Sequence, residues 1–270
     1  VSPDSGGVPD AGLEALDDAA LAARLVREAA TLAAAMRAEG VEVQEKTSVS
    51  DVVTAADHAA ERLVVETLRR LRPEDSVVGE EGTDHRGSSG RTWVIDPVDG
   101  TYNFAAGLDW WCSALALRDD RRHGDGLVLG AVHHAAGATT WVGGPDLPAT
   151  VDGRRLAPLA DRPLAASCLT TYLHPPFFGG PVGEAFGRMA NGAATVRMLG
   201  SGTMDAVAVA TGRLHVLCQH SVPPWDELPG AALVRSVGGR TERLEAAGVE
   251  WYVAGVPTAV SEVCAALTGR

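Results

Sequence analysis

The chain of 270 residues is short of several things, and each shortage closes off a class of protein. Cysteine is scarce and scattered: Cys112, Cys168, Cys218 and Cys264 form no CxxC pair and no paired spacing. That excludes a disulfide framework and a thiolate zinc site, and leaves buried, reduced thiols of a cytoplasmic protein as the expectation. The two Cys-x5-Arg spacings, Cys112 to Arg118 and Cys264 to Arg270, fall on a predicted strand and at the end of the predicted last helix rather than in a phosphate-cradling loop, which argues against a cysteine phosphatase. Lys and Arg form no long run, and 35 acidic residues against 23 basic give a formal net charge of −12. Nucleic acid and acidic membrane surfaces therefore find no electrostatic footprint. No apolar run reaches the roughly 18 residues that span a bilayer. A basic segment followed by an apolar one, the mark of a secretion signal, is missing at the start. Repeats and low-complexity segments are missing as well.

What is present is an ordinary globular composition, 46% hydrophobic and 21% charged. The length suits one large domain or two closely packed smaller ones. Residues 1–12, rich in Ser, Pro, Gly and Asp, read as a loose tail. Residues 13–39 predict a long helix, because Leu21, Leu25, Ala29, Leu32 and Met36 recur at three- and four-residue steps. A short strand at 41–43 and a polar stretch at 44–50 lead to a second helix at 51–71, with Ala60, Val64, Leu68 and Leu71 on its core face. Strands follow at 76–79, 92–95, 111–117, 126–134 and 138–142. Asp152-Gly153 marks a hairpin turn. Beyond residue 158 strands (165–172, 194–199, 213–218, 251–254) alternate with helices (182–191, 203–211, 225–237, 256–267). The N-terminal half, 13–157, is thus α+β, and 158–270 is a layered α/β unit.

Acidic residues stand at the ends of these elements: Asp57, Glu80 with Glu81, Asp96 with Asp99, and Asp226. Glu80 and Asp96 each follow an apolar strand directly. Pro97 restricts the backbone between Asp96 and Asp99, so both carboxylates and the Val98 carbonyl can face one small volume. Carboxylates that converge repel one another unless a cation intervenes. All-oxygen donors suit Mg2+, Mn2+ or Ca2+ rather than zinc. An acidic protein that handles an anion also needs the local positive charge that a metal supplies. Gly100 and Thr101 follow at once and open a short helical turn, whose free N–H groups suit a phosphate. The Thr101 hydroxyl can orient a water.

Asp96-Pro97-Val98-Asp99-Gly100-Thr101-Tyr102-Asn103-Phe104 resembles the central motif of the inositol monophosphatase family. Gly79-Glu80-Glu81-Gly82 resembles its Gly-Glu-Glu motif. Trp225-Asp226 with Gly230, then Gly238-Gly239, resembles its C-terminal motif, and Lys46 with Asp51, Thr54 and Asp57 its N-terminal stretch. The resemblance implies a layered αβαβα sandwich of the inositol monophosphatase and fructose-1,6-bisphosphatase type, usually a homodimer. It implies a Mg2+-dependent, Li+-sensitive phosphatase holding two or three Mg2+ ions, with Mn2+ as a substitute. The implied metal ligands are Glu80, Asp96, the Val98 carbonyl, Asp99 and Asp226. Thr101, Asp57 and Glu80 would be catalytic, with Thr101 and Asp57 acting on the attacking water. Gly100 and Thr101 would hold the phosphate, and Gly202, Thr203 and Gln219 the rest of the substrate. Lys46 would ride on a mobile loop over the site.

Two departures bear on this. Pro229 stands where the C-terminal motif carries Ala, in the expected first turn of its helix. Gln219 stands where inositol-specific members carry a Glu, so it hydrogen-bonds without bringing charge. The expected substrate is an inositol monophosphate or a related cyclitol or sugar phosphate. Histidinol phosphate, fructose 1,6-bisphosphate and 3′-phosphoadenosine 5′-phosphate are the rivals, and a non-catalytic regulator keeping the fold is the rival of another class. Gly200-Ser201-Gly202-Thr203 lacks the third glycine of a dinucleotide fingerprint. His133-His134 points to opposite faces of a strand and suits packing. Residues 172–178, rich in aromatics and proline, wall the substrate pocket or meet a partner subunit.

Overall fold

A computed structural model of the chain describes residues 12–40, 43–48 and 51–270. The expected tail, up to residue 11, lies outside the described residues. The first half runs α1 (Asp18–Glu39), β1 (Val43–Ser48), β2 (Asp51–Thr54), α2 (Ala55–Leu71), β3 (Ser76–Gly79), β4 (Arg91–Asp99) and α3 (Thr101–Ala105). The meander β5 (Cys112–Asp119), β6 (Leu127–His134), β7 (Thr139–Gly144), β8 (Leu147–Val151) and β9 (Arg154–Arg155) follows. The second half holds β10 (Cys168–Thr171), α4 (Gly180–Gly192), β11 (Thr195–Arg197), α5 (Gly202–Ala210), β12 (Val216–His220), α6 (Pro224–Ser236), β13 (Arg240–Ala246), β14 (Val249–Gly255) and α7 (Pro257–Thr268).

Side-chain alternation along the strands builds the layers. In the seven-stranded sheet, ordered β3-β4-β5-β6-β7-β8-β9, only the β3–β4 pair is parallel. Trp93, Ile95, Leu115 and Leu117 leave one face of it and bury against Leu21, Leu25, Val64 and Leu68 of α1 and α2. Val94, Ala114, Ala116 and Val132 leave the other face and meet α5 and α6. Leu217, Tyr252 and Ala254 close that same core from the five-stranded sheet, ordered β11-β10-β12-β14-β13. The odd partners of these residues, Val216, Cys218, Trp251 and Val253, face α4 and α7. The result is helices, sheet, helices, sheet, helices: the αβαβα sandwich. Each fully buried Leu or Val contributes about 1.5–3 kcal/mol to it.

Local chemistry sets the ends. Asp17 caps α1 by accepting from the Ala20 N–H at 2.8 Å, so the helix starts five residues later than its apolar stripe predicts. Thr54 and Asp57 form a reciprocal capping box at α2. The box also corrects the predicted span of that helix, since residues 51–54 are strand β2, paired with β1. The stretch 44–48, read as polar loop, is likewise strand: it pairs in a hairpin where polarity gives no hint of sheet. Strand β13 escaped the sequence reading altogether. Its charges fall on both faces at the sheet edge, Arg240 and Glu242 on one and Arg243 and Glu245 on the other, and mask the alternation. At Asp152-Gly153 both residues take positive φ, 47° and 77°, as the hairpin requires. Cys112 and Cys218 are buried, whereas Cys168 and Cys264 are only half-buried, and all four are free. His133 is packed in the sheet beside Thr140, to which its Nδ1 lies at 2.8 Å. Among the described residues no helix is long and apolar enough to cross a membrane.

Candidate active site

The two carboxylates of the Asp-Pro-Val-Asp segment owe their placing to an irregular strand. Asp96 pairs with Ala114 and Asp99 with Cys112, so three steps along β4 match two along β5. The extra residue is a bulge, and it cancels the alternation that would send positions 96 and 99 to opposite faces. Pro97, which has no N–H for a ladder, fits the break. The Ser113 hydroxyl takes up the Pro97 carbonyl at 2.5 Å. Asp96 is 1% exposed and its carboxylate accepts from the Val98 N–H at 3.0 Å. Asp99 is nearly as buried and accepts from the Thr203 N–H at the start of α5.

Glu80 sits just past β3, where its N–H donates to the Ile95 carbonyl at 3.2 Å. The turn it belongs to is pinned from below by a residue absent from the sequence reading. Glu61 of α2 is fully buried and accepts from the Glu81 and Thr83 N–H groups at 2.8 and 2.9 Å. Gly79 makes room for it: a Cβ there would lie 2.3 Å from the Glu61 carboxylate. A charged residue on the apolar face of α2, between Ala60 and Val64, is the signal that could have exposed it. Asp226 lies in the first turn of α6, and its carbonyl accepts from the Thr203 hydroxyl at 3.2 Å. Pro229 sits further along than expected, at the sixth residue of α6 rather than in its first turn. There it removes the N–H that would reach the Trp225 carbonyl. The helix nevertheless passes close over β6, since a Cβ at Gly130 would lie 2.3 Å from the Pro229 carbonyl.

Glu80, Asp96, Asp99 and Asp226 all border one cleft of about 1010 Å³, together with Val98 and Thr101. Burial pushes the Asp96 carboxyl well up, and the charges of Glu80, Asp99 and Asp226 push it the same way. Burial also raises Asp99, against the opposing hydrogen bonds from Thr203. Among the described residues no three acidic, His or Cys side chains are already gathered closely enough to grip a metal ion. The donor set nevertheless fits a hard divalent cation: carboxylate and carbonyl oxygens, crowded and mutually repelling, with no nitrogen or sulfur among them.

Beside the carboxylates stands a hydroxyl–carboxyl pair. The Thr101 hydroxyl lies 3.1 Å from one Asp57 oxygen and 2.9 Å from the Val98 carbonyl. Thr54 holds the other Asp57 oxygen through its N–H at 3.0 Å and its hydroxyl at 2.5 Å. Burial raises the Asp57 carboxyl, and the bonds from Thr54 pull it back in part. Asp57 does not reach the cleft itself; Thr101 does. Gly100 joins β4 to α3 at φ 92°, where a Cβ would meet Ser201 Cβ at 3.0 Å and the Trp110 carbonyl at 3.1 Å. Asn103 ties the site together: its amide donates to the Trp110 carbonyl at 2.8 Å and the Leu199 carbonyl at 2.7 Å.

The three expected substrate contacts divide. Gly202 and Gln219 border the cleft, and a Cβ on Gly202 would lie 3.1 Å from the Gln219 side-chain oxygen. Thr203 is fully buried and does not border it; it serves Asp99 and Asp226 instead. Lys46 belongs to β1, but its side chain lies outside the described residues.

The inositol monophosphatase family profile matches residues 14–266, nearly the whole chain. The chain belongs to the inositol monophosphatase family. It is accordingly a phosphoric monoester hydrolase. Among family members, a fructose-1,6-bisphosphatase/inositol-1-monophosphatase of Thermotoga maritima is 30% identical over 197 residues, 73% of each chain. The inositol-1-monophosphatase SuhB of Mycobacterium tuberculosis is 33% identical over 240 residues, covering 83% of this chain and 81% of that one. In fold, the extragenic suppressor protein suhB of Bartonella henselae superposes with a TM-score of 0.81 over 90% of this chain and 95% of that one, at 22% identity.

Proposed function

We propose that this protein hydrolyses a small phosphate monoester by attack of water, with Mg2+ held by Glu80, Asp96, the Val98 carbonyl, Asp99 and Asp226. The observation that carries the reading is the crowding of carboxylates around the buried Asp96. Unneutralised, that arrangement only costs stability. Bound Mg2+ would neutralise it, draw charge from the phosphoryl oxygens and make a water acidic enough to attack near neutral pH.

The chain's own groups then handle the proton and the orientation. Thr54 occupies one Asp57 oxygen and leaves the other to Thr101. With its proton directed to Asp57, the Thr101 oxygen accepts a hydrogen bond from the attacking water and aligns its lone pair on phosphorus. The proton passes from water through Thr101 to Asp57, whose raised basicity suits it for that. The new water–phosphorus bond forms as the bond to the alcohol breaks, and the alcohol departs with a proton from solvent. Gly100, Thr101 and Tyr102 border the cleft at the start of α3, where the first N–H groups have no acceptor within the helix. They are suited to the phosphate.

Single-phosphate esters fit better than bisphosphates. Among the described residues no Arg borders the cleft to grip a second phosphate bidentately, and the side chain of Lys46, the chain's one lysine, lies outside them. The homodimer and the Li+ sensitivity expected from the family belong to the same reading. Phosphate release from myo-inositol 1-phosphate, histidinol phosphate, fructose 1,6-bisphosphate and 3′-phosphoadenosine 5′-phosphate, with and without Mg2+, tests it. Release should require Mg2+, stop with a chelator, and favour a monophosphate. Turnover that survives the chelator overturns the metal mechanism, and no turnover of any ester returns the chain to the regulator class.

A further inference from the structure

The far wall of the cleft is built unlike a polyol site. Residues 172–177 and 219–223 supply it, and its bulk is aromatic faces and prolines. Tyr172 and His174 meet edge to face at 4.6 Å, and Phe177 and His220 at 4.7 Å. His220 in turn leans on the buried Trp251 at 5.4 Å, which anchors the pair to β14. Yet Tyr172 and Phe177 remain 36% and 37% exposed, and both border the cleft. Pro175, Pro176 and Pro223 bring no backbone N–H, the donors that a ring of hydroxyls would use. Burial and the neighbouring His174 hold His220 below its usual pKa, towards the neutral ring. Gln219, which borders the cleft beside Gly202, pairs a donor with an acceptor in one plane.

We infer that the alcohol part of the substrate carries a flat nitrogen heterocycle, gripped between Phe177 and Tyr172 and read at its edge by Gln219. Resting on the phosphatase reading above, this names its substrate class. A π-face is what open aromatic walls recognise. The planar amide of Gln matches the donor–acceptor edge of such a ring, as it does in base recognition. The cleft, about 1010 Å³, also has room for more than a cyclitol monophosphate. Two kinds of ester carry such a ring, a nucleoside monophosphate, whose base offers Gln219 a donor–acceptor edge, and an imidazole-bearing amino alcohol phosphate, which offers it one ring nitrogen at a time.

The test compares kcat/KM for adenosine 2′-monophosphate, histidinol phosphate and myo-inositol 1-phosphate at one Mg2+ concentration. At least one heterocyclic ester should exceed the inositol ester by about tenfold, and the better of the two identifies the source. Phe177→Ala should raise KM for that ester about tenfold, far more than for the inositol ester, with kcat little moved and the melting temperature kept. Tyr172→Leu repeats the test on the other face. An inositol ester turned over as well as or better than both heterocycles overturns the inference while leaving the phosphatase intact. So does a rise in KM equal for all three. If no ester releases phosphate, the phosphatase reading fails, and calorimetry with adenosine, histidinol and myo-inositol decides the rest. Heterocycle binding weakened by Phe177→Ala sustains the inference, and its absence overturns it.

Discussion

The two ends of the cleft are made to different rules. At the phosphate end every acidic side chain is placed by something beneath it: a bulge under Asp96 and Asp99, Glu61 under the Glu80 turn, Thr54 behind Asp57, Thr203 between Asp99 and Asp226. Most of these groups are buried and multiply hydrogen-bonded. At the alcohol end the side chains hang on loop and strand ends, where ring contacts join Phe177 to His220 and His220 to Trp251, with Phe178 59% exposed beyond them. Even the backbone differs, since Ser221 sits at φ 56° without being a glycine. Chemistry that tolerates no displacement is built into the core, and selectivity sits where substitution disturbs little else.

If that division is right, Asp99→Asn should separate chemistry from fold. The Asn oxygen still accepts from Thr203, so the local bond survives. The buried charge goes, and with it a ligand for Mg2+. Turnover should fall about a thousandfold or more. The metal-free variant should melt no lower than the parent at pH 8, since an Asp whose ionised form is disfavoured by burial has been replaced by a neutral amide. Phosphate release and a melting curve measure both. Turnover kept within tenfold would remove Asp99 from the metal site, and a large loss of stability would remove the separation itself.

Gly100→Ala attacks the scaffold of the same end. Positive φ costs an alanine about 1 kcal/mol. The added methyl would also press on Ser201 and on the Trp110 carbonyl at 3.0 and 3.1 Å. Together these should cost about 2–3 kcal/mol, read as a shift in urea midpoint, and turnover should drop because Thr101 moves with the turn. A midpoint unchanged by the methyl would show the phosphate end to be as yielding as the aromatic one.

Much of the phosphate end was legible in the sequence because its residues cluster in short runs with fixed backbone demands. Asp96 to Phe104 carries Pro97 and Gly100, and each has one conformational use. The bulge beneath that run was not legible, because a two-for-one register is a property of two strands and β5 gives no sign of it. Glu61 and Asn103 were missed as actors for a related reason: their partners are backbone groups of distant loops, which leave no trace in spacing. Thr203 was assigned to substrate by family resemblance, whereas it is buried and bonds to Asp99 and Asp226. In the fold, alternation exposed the buried strands, and it failed at β1, β2 and β13, where one or both faces are polar. The α1–α2 capping chemistry was partly visible, since Thr54 and Asp57 stand at the spacing of a capping box, but the apolar run before them drew the helix start too early.

The smallest effect expected concerns the seam between the two ends. Asp205 of α5 is fully buried and takes hydrogen bonds from the Trp110 indole at 3.0 Å and the Thr170 hydroxyl at 2.5 Å. Trp110 belongs to the segment that Asn103 clamps, and Thr170 to the strand that leads into the aromatic wall. Burial lifts the Asp205 carboxyl from 3.8 to about 7, with the two hydrogen bonds opposing and Asp99 adding to the rise. Because the folded value is the higher one, folding takes up a proton between these two pH values. The stabilising contribution is therefore full below about pH 4 and is lost as pH climbs through 7. Asp205→Asn should stabilise the protein by a few degrees at pH 8 and by less at pH 5.5, flattening part of the pH slope. Asp57, Asp96 and Asp99, whose shifts have the same sign, add to that slope, while His133, His215 and His220, which burial holds below their usual value, oppose it. Melting curves across that range decide the matter. A slope identical in the variant would mean that Asp205 is ionised in the fold, and that a buried negative charge, rather than a neutral carboxyl, joins the rigid end of the cleft to the open one.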